Sequence, residues 1–268
     1  MLELLAMQGI DPASIDQILL DAQGGWLLFE TAQDVLPEDR NGGSDIYRLD
    51  LFDETLVLVS RTPDGTAGNG PSRYPASDAS GDWVVFQSDA DDLVAGDDNA
   101  TTDIFLHELS RAVTTRITAA AGTASAHPAL DAEGAELLYD RRDADGRRQI
   151  LLDGLWGAAA PEPLSLDRDE AGGALDNHHP AISADGRYVA YLEAGGEGAA
   201  PTCRVHVYDR DTGDFRRVAC PDAVAADPEA ARPVFVAEGA GLEWFLRASD
   251  APLVIPNPLY APPAERTR

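Results

Sequence analysis

The 268-residue sequence predicts an all-β fold built from one repeated unit, and three observations support this prediction. A pattern of proline, three variable residues, alanine, one further residue and glycine recurs, with its glycine at Gly24, Gly81, Gly134, Gly186 and Gly239. These glycines lie about 50 residues apart, and only the first copy lacks the proline. Alternating apolar and polar residues with Asp/Gly turns divide each unit into four strands. Four-stranded units of this length, repeated several times, are typical of a β-propeller.

The second strand of each unit is the clearest element, because a run of apolar and aromatic residues follows each glycine. These runs are Trp26–Phe29, Trp83–Phe86, Leu137–Tyr139, Tyr188–Tyr191 and Leu242–Phe245. Alternation and polar turns divide the fourth unit into strands at His179–Ser183, Arg187–Glu193, Arg204–Tyr208 and Phe215–Cys220. Fourth strands of earlier units are expected at Leu56–Ser60, Thr114–Thr118 and Pro163–Leu166.

The two ends of the sequence fit a closed ring of blades. Leu2–Ala6 occupies the place of a fourth strand ahead of the first unit, and the fifth unit ends near Tyr260 without one. We therefore expect the N-terminal strand to complete the last blade, since closure removes exposed sheet edges. The sequence predicts a single propeller domain over residues 1–260, with five blades or, as the alternative, six. Residues 261–268 are expected to form a mobile tail.

The charge of the chain restricts its partners. Asp and Glu number 47 against 20 basic residues, all of them Arg, which gives a net charge of −27. Such a polyanion repels phosphate backbones, so we expect neither nucleic acid nor anionic membrane surfaces as partners. No apolar stretch reaches the roughly 20 residues of a membrane helix, and the N-terminus lacks the features of a secretory signal. We expect a soluble chain without membrane insertion.

The repeat resembles that of a known family. Pro180-Ala-Ile-Ser-Ala-Asp-Gly-Arg-Tyr-Val-Ala-Tyr191 is similar to the PD40-type, WD40-like repeat of TolB-type propellers, and the segment 87–105 looks like the long variant of that repeat. The resemblance covers residues 1–260 and implies a propeller, usually of six blades. Members of the family include envelope scaffolds, peptidase-associated propellers and some lyases, so the resemblance specifies function only weakly.

Two acidic loops are candidates for a metal site. They share the spacing Asp-x-Asn-x-x-x-Asp ahead of an apolar-aromatic strand, and their residues are Asp39, Asn41 and Asp45 in the first loop and Asp97, Asn99 and Asp103 in the second. Oxygen ligands at alternate positions of a tight loop suit Ca²⁺, although neither loop has the Glu that completes an EF-hand loop. The alternative is that these side chains cap the turn by bonding to their own backbone. If Ca²⁺ binds, we expect it to support the structure.

Three histidines are candidates for lining the propeller channel or one of its mouths. His127 and His179 directly precede repeat prolines, and His178 is adjacent to His179. Successive residues of a strand face opposite sides, so His178 and His179 are expected to point apart. In TolB-like relatives with metal sites, histidines occupy such places. A transition-metal or lyase site at these positions is the less favoured alternative.

The two cysteines predict a disulfide. A hairpin centred between Asp211 and Thr212 places Cys203 directly opposite Cys220 on adjacent strands. The alternative is a pair of reduced thiols packed as small apolar groups. A disulfide implies an oxidising compartment, so we expect a periplasmic or extracellular location, with a cytoplasmic one as the alternative.

The sequence favours a binding function over catalysis. It contains no Gly-x-Ser-x-Gly, no His-Glu-x-x-His and no phosphate-binding Gly-Lys loop, and it has no lysine. We expect a non-catalytic binding or scaffolding module with a protein partner. The main alternative is a carbohydrate-processing propeller, lyase or glycosidase-like, with a metal or sugar ligand near the channel. A third interpretation is a calcium-stabilised segment of a larger exported repeat protein.

Overall fold

The computed structural model is almost entirely β-structure. It describes residues 2–20, 24–118, 123–143, 145–157, 159–165, 176–195, 202–220, 231–236, 241–246 and 253–256. One short helix, α1 (Leu2–Met7), and a 3-10 turn, Pro12–Ser14, precede the strands. The first repeat contains β1 (Ile15–Leu20), β2 (Trp26–Thr31), β3 (Asp45–Asp50) and β4 (Leu56–Leu58). The second repeat contains β5 (Ser72–Ser77), β6 (Trp83–Ser88), β7 (Asp103–Glu108) and β8 (Val113–Arg116).

The later repeats follow the same order. The third comprises β9 (Ser125–Leu130), β10 (Glu136–Arg142), β11 (Arg148–Gly154) and β12 (Glu162–Pro163). The fourth comprises β13 (Asp176–Ile182), β14 (Tyr188–Gly195), β15 (Thr202–Asp209) and β16 (Phe215–Ala219), and the fifth β17 (Ala231–Val236), β18 (Gly241–Leu246) and β19 (Leu253–Pro256). Every predicted second strand therefore coincides with a strand of the structure.

The strands form one antiparallel sheet per repeat. Four sheets have four strands in sequential order, and the described part of the fifth repeat forms a three-stranded sheet, β17-β18-β19. Sequential antiparallel sheets of four strands are the blades of a β-propeller, so the predicted fold class is confirmed. We number the sheets one to five in chain order.

The chain divides into two compact units, Met1–Leu130 and Asp131–Arg268, which we describe separately as the first and second unit. The core of the first unit lies between sheets one and two. Its fully or nearly fully buried members are Trp26, Leu28, Ile46 and Val59 from the first repeat and Val84, Phe86, Ala90, Leu93 and Phe105 from the second. Side chains from both sheets thus share one cluster, whose burial stabilises the pair of sheets.

A repeat glycine shows how closely the first two sheets approach. Gly81 has φ +67°, and a Cβ atom at this position would overlap the ring of Trp26. The turn ahead of β6 therefore requires glycine for two reasons, the left-handed backbone and the indole packed against it. Gly24, Gly134 and Gly186, at the same place of their repeats, also have a left-handed backbone.

The predicted N-terminal strand is wrong. Leu2–Met7 is the helix α1, and the last sheet is not completed by these residues in the described part of the chain. The segment is rich in Leu, Ala, Glu and Met, which favour a helix, and it has no β-branched residue. Leu5 and Ile10 are both 1% exposed and pack on Phe29 and Tyr47 of the first sheet. The segment therefore covers an apolar sheet face instead of pairing with a sheet edge.

The predicted disulfide is confirmed. Strands β15 and β16 pair with Tyr208 opposite Phe215 and Arg204 opposite Ala219, the register that the four-residue turn requires. Cys203 and Cys220 follow in the same register, with Cα atoms 5.4 Å apart, and form a disulfide. No bulge interrupts this hairpin, so the count of residues from the turn was sufficient to identify the pair.

The predicted mobile tail, residues 261–268, lies outside the described residues. In the part of the chain that the structure describes, we find no helix long and apolar enough to cross a membrane.

Candidate functional site

The residue before the repeat proline has a left-handed backbone in three consecutive repeats. Tyr74, His127 and His179 have φ values of 56°, 52° and 51°. Bulky residues rarely adopt this conformation, and it is strained. In β5 and β13 the strained residue and its proline lie in a β-bulge, where the pairing register shifts. Proline lacks an N–H and is tolerated at bulges, so the repeated proline marks this break in the ladder.

A polar side chain of the preceding sheet holds each strained residue in place. The backbone N–H of Tyr74 donates to Glu30 Oε2 over 3.0 Å, and that of His127 donates to Gln87 Oε1 over 2.9 Å. In the second unit the N–H of His179 donates to Asp140 Oδ2 over 3.3 Å. Each bond therefore ties a strained residue of one sheet to the second strand of the sheet before it.

Sequence reasoning missed these three acceptors, although the repeat contains a signal for them. Glu30, Gln87 and Asp140 each stand six residues after the repeat glycine, directly after the apolar run. A polar residue at a fixed place in an otherwise apolar strand suggests an obligatory hydrogen bond. The fourth repeat has Leu192 at this position.

The first unit brings two of the strained side chains together. The rings of Tyr74 and His127 meet edge to face, with centroids 4.5 Å apart, and both side chains are half-buried. Aromatic pairs favour this arrangement. Strands β5 and β9 thus place a phenol and an imidazole side by side, each on a left-handed backbone that the preceding sheet holds.

In the second unit His178 and His179 lie together, and the prediction that they point apart is wrong. Their Nδ1 atoms are 2.6 Å apart, within hydrogen-bonding distance, and both rings are buried. Strict alternation holds only in regular strands. Here the bulge and the left-handed backbone at His179 turn the two rings toward each other. The structure describes His127 in the first unit and this pair in the second, so the predicted common site of all three stays a prediction.

The other buried histidines belong to third strands. His107 in β7 contacts Thr114 Oγ1 through Nδ1 over 2.9 Å, and burial lowers its pKa to about 4. His206 in β15 lies between Tyr191 Oη, 3.1 Å from its Nδ1, and Glu193 Oε2, 2.5 Å from its Nε2. Hydrogen bonding to His206 and nearby arginines lower the pKa of Glu193 although burial opposes them. This buried chain joins β14 and β15 by side chains as well as by the backbone ladder.

The first acidic loop is held by its own hydrogen bonds. Asn41 Nδ2 donates to Asp45 Oδ2 over 2.7 Å and to Gly68 O over 2.8 Å, and Gly43 N donates to Asn41 Oδ1 over 2.6 Å. The Ser60 hydroxyl donates to the other oxygen of Asp45 over 2.6 Å. The predicted turn-capping contacts are therefore present, and each oxygen of Asp45 accepts a hydrogen bond.

Carboxylates crowd this first loop. Burial and the charges of Asp39 and Asp34 together raise the pKa of Asp45 to about 7, although hydrogen bonds from Ser60 and Asn41 oppose this shift. The pKa of Asp39 is also raised by burial, although the Tyr47 hydroxyl donates to it. Asp34 was not among the predicted site residues, because it precedes the spaced motif. Together these carboxylates form an acidic cluster to which hydroxyl and amide groups donate hydrogen bonds.

The second acidic loop has the same hydrogen bonds to its last Asp as the first and, in addition, an ion pair with an arginine. Asn99 Nδ2 and Thr118 Oγ1 each donate to Asp103 over 2.7 Å. Arg116 forms an ion pair with Asp97 and lies 3.6 Å from Asp103. Burial raises the pKa of Asp103, and the charge of Arg116 partly opposes this shift. The guanidinium group thus balances part of the negative charge of these carboxylates.

Two solved TolB structures have a fold similar to that of this chain. TolB from Acinetobacter baumannii superposes with a TM-score of 0.59 at 18% identity, covering 89% of this chain and 51% of that one. A TolB from Agrobacterium tumefaciens gives a TM-score of 0.54 at 17% identity, covering 74% of this chain and 62% of its own. The fold is a TolB-like β-propeller.

The TolB-like propeller also resembles an enzyme. An oligogalacturonate lyase in complex with manganese superposes with a TM-score of 0.57 at 15% identity, covering 91% of this chain and 66% of that one. The chain thus spans between half and two thirds of the length of these three structures. No protein-family model and no curated protein sequence matches the chain.

The described residues of this TolB-like propeller contain no group of three or more His, Cys, Asp or Glu arranged to hold a metal ion. In each loop the Asn bonds to the last Asp, whereas Asp39 accepts from Tyr47 and Asp97 pairs with Arg116. The calcium site stays a prediction.

Proposed function

We propose that this TolB-like propeller is a non-catalytic binding or scaffolding module with a protein partner. The observation that supports this most directly is the row of strained residues. Tyr74, His127 and His179 occupy the same position in consecutive repeats, and a side chain of the preceding sheet holds each one. Backbone strain often persists where a side chain must be presented in a fixed direction. His179 is buried, whereas the half-buried Tyr74 and His127 are the side chains that this rigid scaffold can present to a partner.

The test removes the presented rings and keeps the backbone bonds that hold them. The double variant Tyr74→Asn/His127→Asn retains both N–H donors, and Asn tolerates a left-handed backbone better than most residues do. Tagged wild-type protein and variant would be used for cross-linking capture from cells of the source, with quantitative mass spectrometry. We expect a protein recovered with the wild type to fall at least tenfold with the variant.

The matched control is Asp64→Ala, which changes an exposed residue of the same unit. Its recovery of the partner should equal that of the wild type. Equal recovery with the double variant would contradict the proposed role of Tyr74 and His127, and no partner under any condition would contradict the binding function itself.

Calcium support is part of the proposal, and we assign it to the first acidic loop. The charge of Asp34 helps to raise the pKa of Asp39, and both charges help to raise that of Asp45, whose carboxylate forms no ion pair with an arginine in the described part of the chain. Oxygen-rich loops of this charge suit Ca²⁺. A cation would displace the Asn41 amide from Asp45 Oδ2. Thermal unfolding of EDTA-treated protein should shift upward with Ca²⁺ and not with Mg²⁺. No shift specific to Ca²⁺ would leave both loops as capped turns.

The disulfide supports a periplasmic or extracellular location, since such bonds persist in oxidising compartments. Protein isolated from its natural source with alkylation and without reductant should show no free thiol at Cys203 or Cys220. Two alkylated thiols would favour the cytoplasm.

A second candidate function is carbohydrate elimination, because the fold also superposes on a manganese-containing oligogalacturonate lyase and the second unit contains a close pair of histidines. Cleavage by elimination creates a carbon–carbon double bond next to a carboxylate, which absorbs in the ultraviolet. Protein incubated with oligogalacturonate and Mn²⁺ would be compared with His178→Asn. Absorbance that grows with the wild type alone would replace the scaffold proposal by this one.

A further inference from the structure

Exposed apolar side chains recur in one part of the repeat. In four consecutive sheets the hairpin between the third and fourth strands carries one, and these residues are Phe52, Val113, Trp156 and Phe215, with exposed fractions of 84%, 45%, 59% and 50%. Single exposed apolar residues are normal on a soluble protein. Their recurrence in equivalent hairpins makes them a feature of the repeat.

In the first unit, backbone contacts place these hairpins beside the turns that precede the second strands. Leu51 N donates to Gly25 O over 2.9 Å in sheet one, next to Phe52. In sheet two, Leu109 N donates to Asp82 O over 2.8 Å. Both kinds of turn therefore lie at the same end of their sheet.

Side-chain contacts continue from one sheet to the next at this end. Trp26 of sheet one packs against Gly81 of sheet two, and the guanidinium of Arg48 lies 5.7 Å from the centre of the Trp26 ring. The residue after Gly81 is Asp82, whose carboxylate accepts bonds from Ser110 N over 2.6 Å and Ser110 Oγ over 2.8 Å. Contacts thus connect the hairpin of Phe52 with that of Val113.

Carboxylates surround both apolar residues. Asp50, Asp53 and Glu54 flank Phe52, while Asp82 and Glu108 lie around the hairpin of Val113. We call these five acidic residues with Phe52 and Val113 the acidic hairpin surface. Hydrogen bonding to Thr55 lowers the pKa of Asp53, so this exposed group stays ionised.

Few cations balance this surface. Arg48 lies 3.8 Å from Asp50, and Arg111 lies 3.3 Å from Glu108 with 71% of its side chain exposed. Five carboxylates against two guanidinium groups leave an excess of negative charge around the apolar side chains, on a chain whose net charge is −27. A second copy of the chain and an anionic membrane are also negatively charged, so neither is favoured to bind this surface.

We propose that the acidic hairpin surface binds a basic polypeptide segment that also carries apolar side chains. Apolar anchors would cover Phe52 and Val113, and Arg or Lys residues of the segment would face the carboxylates around them. This inference rests on the proposed binding function and adds to it the chemistry of a partner and a second contact surface, separate from Tyr74 and His127.

The second unit has the same apolar hairpins, but more of the carboxylates beside them are paired with arginine. Trp156 Nε1 donates to Gly134 O over 2.9 Å, as expected for adjacent turns. There, however, Arg210 pairs with Glu136, and Arg187 Nη2 lies 2.7 Å from Asp209. The basic segment is therefore assigned to the first unit, and Trp156 serves as the matched control.

The test uses three synthetic peptides with the full chain, with binding measured by fluorescence anisotropy and calorimetry at several salt concentrations. One is an amphipathic Arg/Leu peptide, the second its Glu/Leu counterpart and the third an all-Arg peptide. The wild type should bind the Arg/Leu peptide at least tenfold more tightly than either of the others. The variants are Phe52→Ser/Val113→Ser, Asp53→Asn/Glu54→Gln and the control Trp156→Ser, each first checked for native near-ultraviolet circular dichroism.

We expect Phe52→Ser/Val113→Ser to weaken binding at least tenfold and Asp53→Asn/Glu54→Gln to weaken it and reduce its salt dependence, while Trp156→Ser leaves it unchanged. Equal affinity for the all-Arg peptide, or an equal loss with Trp156→Ser, would overturn the proposal, because either would show attraction by the whole polyanion. If peptide binding fails but partner capture still depends on Tyr74 and His127, only this surface is refuted.

Discussion

The two acidic loops of the first unit share the hydrogen bonds to their last Asp but differ in how the charge of their carboxylates is balanced. In both, an Asn amide donates to the last Asp over 2.7 Å, and a hydroxyl from the end of the fourth strand donates to its other oxygen. In the second loop Arg116 pairs with Asp97 and Asp103. In the first loop the strand position of Arg116 is taken by Leu58, and the Tyr47 hydroxyl donates to Asp39.

The difference shows that the spacing of the motif determines the hydrogen bonds of the loop. Whether an arginine balances the buried carboxylates depends on a residue of the fourth strand. Asp45 stays buried with no guanidinium beside it, and its pKa rises to about 7. Burial raises the pKa of Asp103 as well, and hydrogen bonds from Thr118 and Asn99, together with the charge of Arg116, oppose this shift. We therefore expect the proposed Ca²⁺ to bind the first loop, because Arg116 already balances the carboxylates of the second.

The largest expected effect follows from making the second loop like the first. Arg116→Leu leaves Asp97 and Asp103, whose side chains are 3% and 0% exposed, without their cation. Removing one partner of a buried ion pair typically costs about 3 kcal/mol. Urea unfolding at neutral pH should show this loss. Arg111→Leu, which removes an exposed pair, should change the free energy of unfolding by less than about 0.5 kcal/mol, and equal losses would contradict the comparison.

An intermediate effect is expected from the pH dependence of the first loop. Asp45 binds a proton more tightly in the folded chain than in the unfolded one, so the free energy of unfolding falls as the pH rises toward about 7. Asp45→Asn removes this titration. Relative to the wild type, the variant should gain on the order of 2 kcal/mol between about pH 5 and pH 8.

Chemical unfolding of both proteins at each pH measures this gain. The matched variant Asp103→Asn should show a smaller gain, because Arg116 already favours the charged form of Asp103. A constant offset between wild type and Asp45→Asn at all pH values would show that Asp45 is not shifted.

The smallest expected effect separates the loops by their response to calcium. Free Ca²⁺ at about ten times its Kd should raise the free energy of unfolding by about 1.4 kcal/mol. Asp45→Asn should abolish the rise, whereas Asp103→Asn should retain it, because Arg116 already supplies a positive charge to the second loop. Loss of the response in both variants would show that the loops act together or that the second also binds.

Much of the fold could be predicted from local signals. Each second strand follows a glycine, and the disulfide follows from counting residues around one turn, because a regular hairpin fixes every cross-strand pair. The pairing of Asn41 with Asp45, four residues apart, is local in the same sense. Such features depend on neighbours in the chain, which the sequence contains.

Predictions failed where distant residues decide conformation. The N-terminal segment forms a helix because Leu5 and Ile10 cover an apolar face of the first sheet, which the sequence pattern did not reveal. His178 and His179 lie together because a bulge breaks the alternation of β13, and the backbone of His179 is held by Asp140, 39 residues away. The repeat proline marks the position of the bulge. The carboxylate of Asp140, which accepts a hydrogen bond from His179 N, lies in the preceding sheet.

The sequence by itself determined the repeated all-β architecture, the hairpin of the disulfide and the two turns that the acidic loops form. These depend on periodicity, turn chemistry and residue counting within single repeats. Only the tertiary structure decided which carboxylate meets an arginine, which polar residue fixes each strained bulge and which apolar side chains stay exposed. Burial and charge pairing arise from packing between strands and sheets, and a single sequence does not specify these distances.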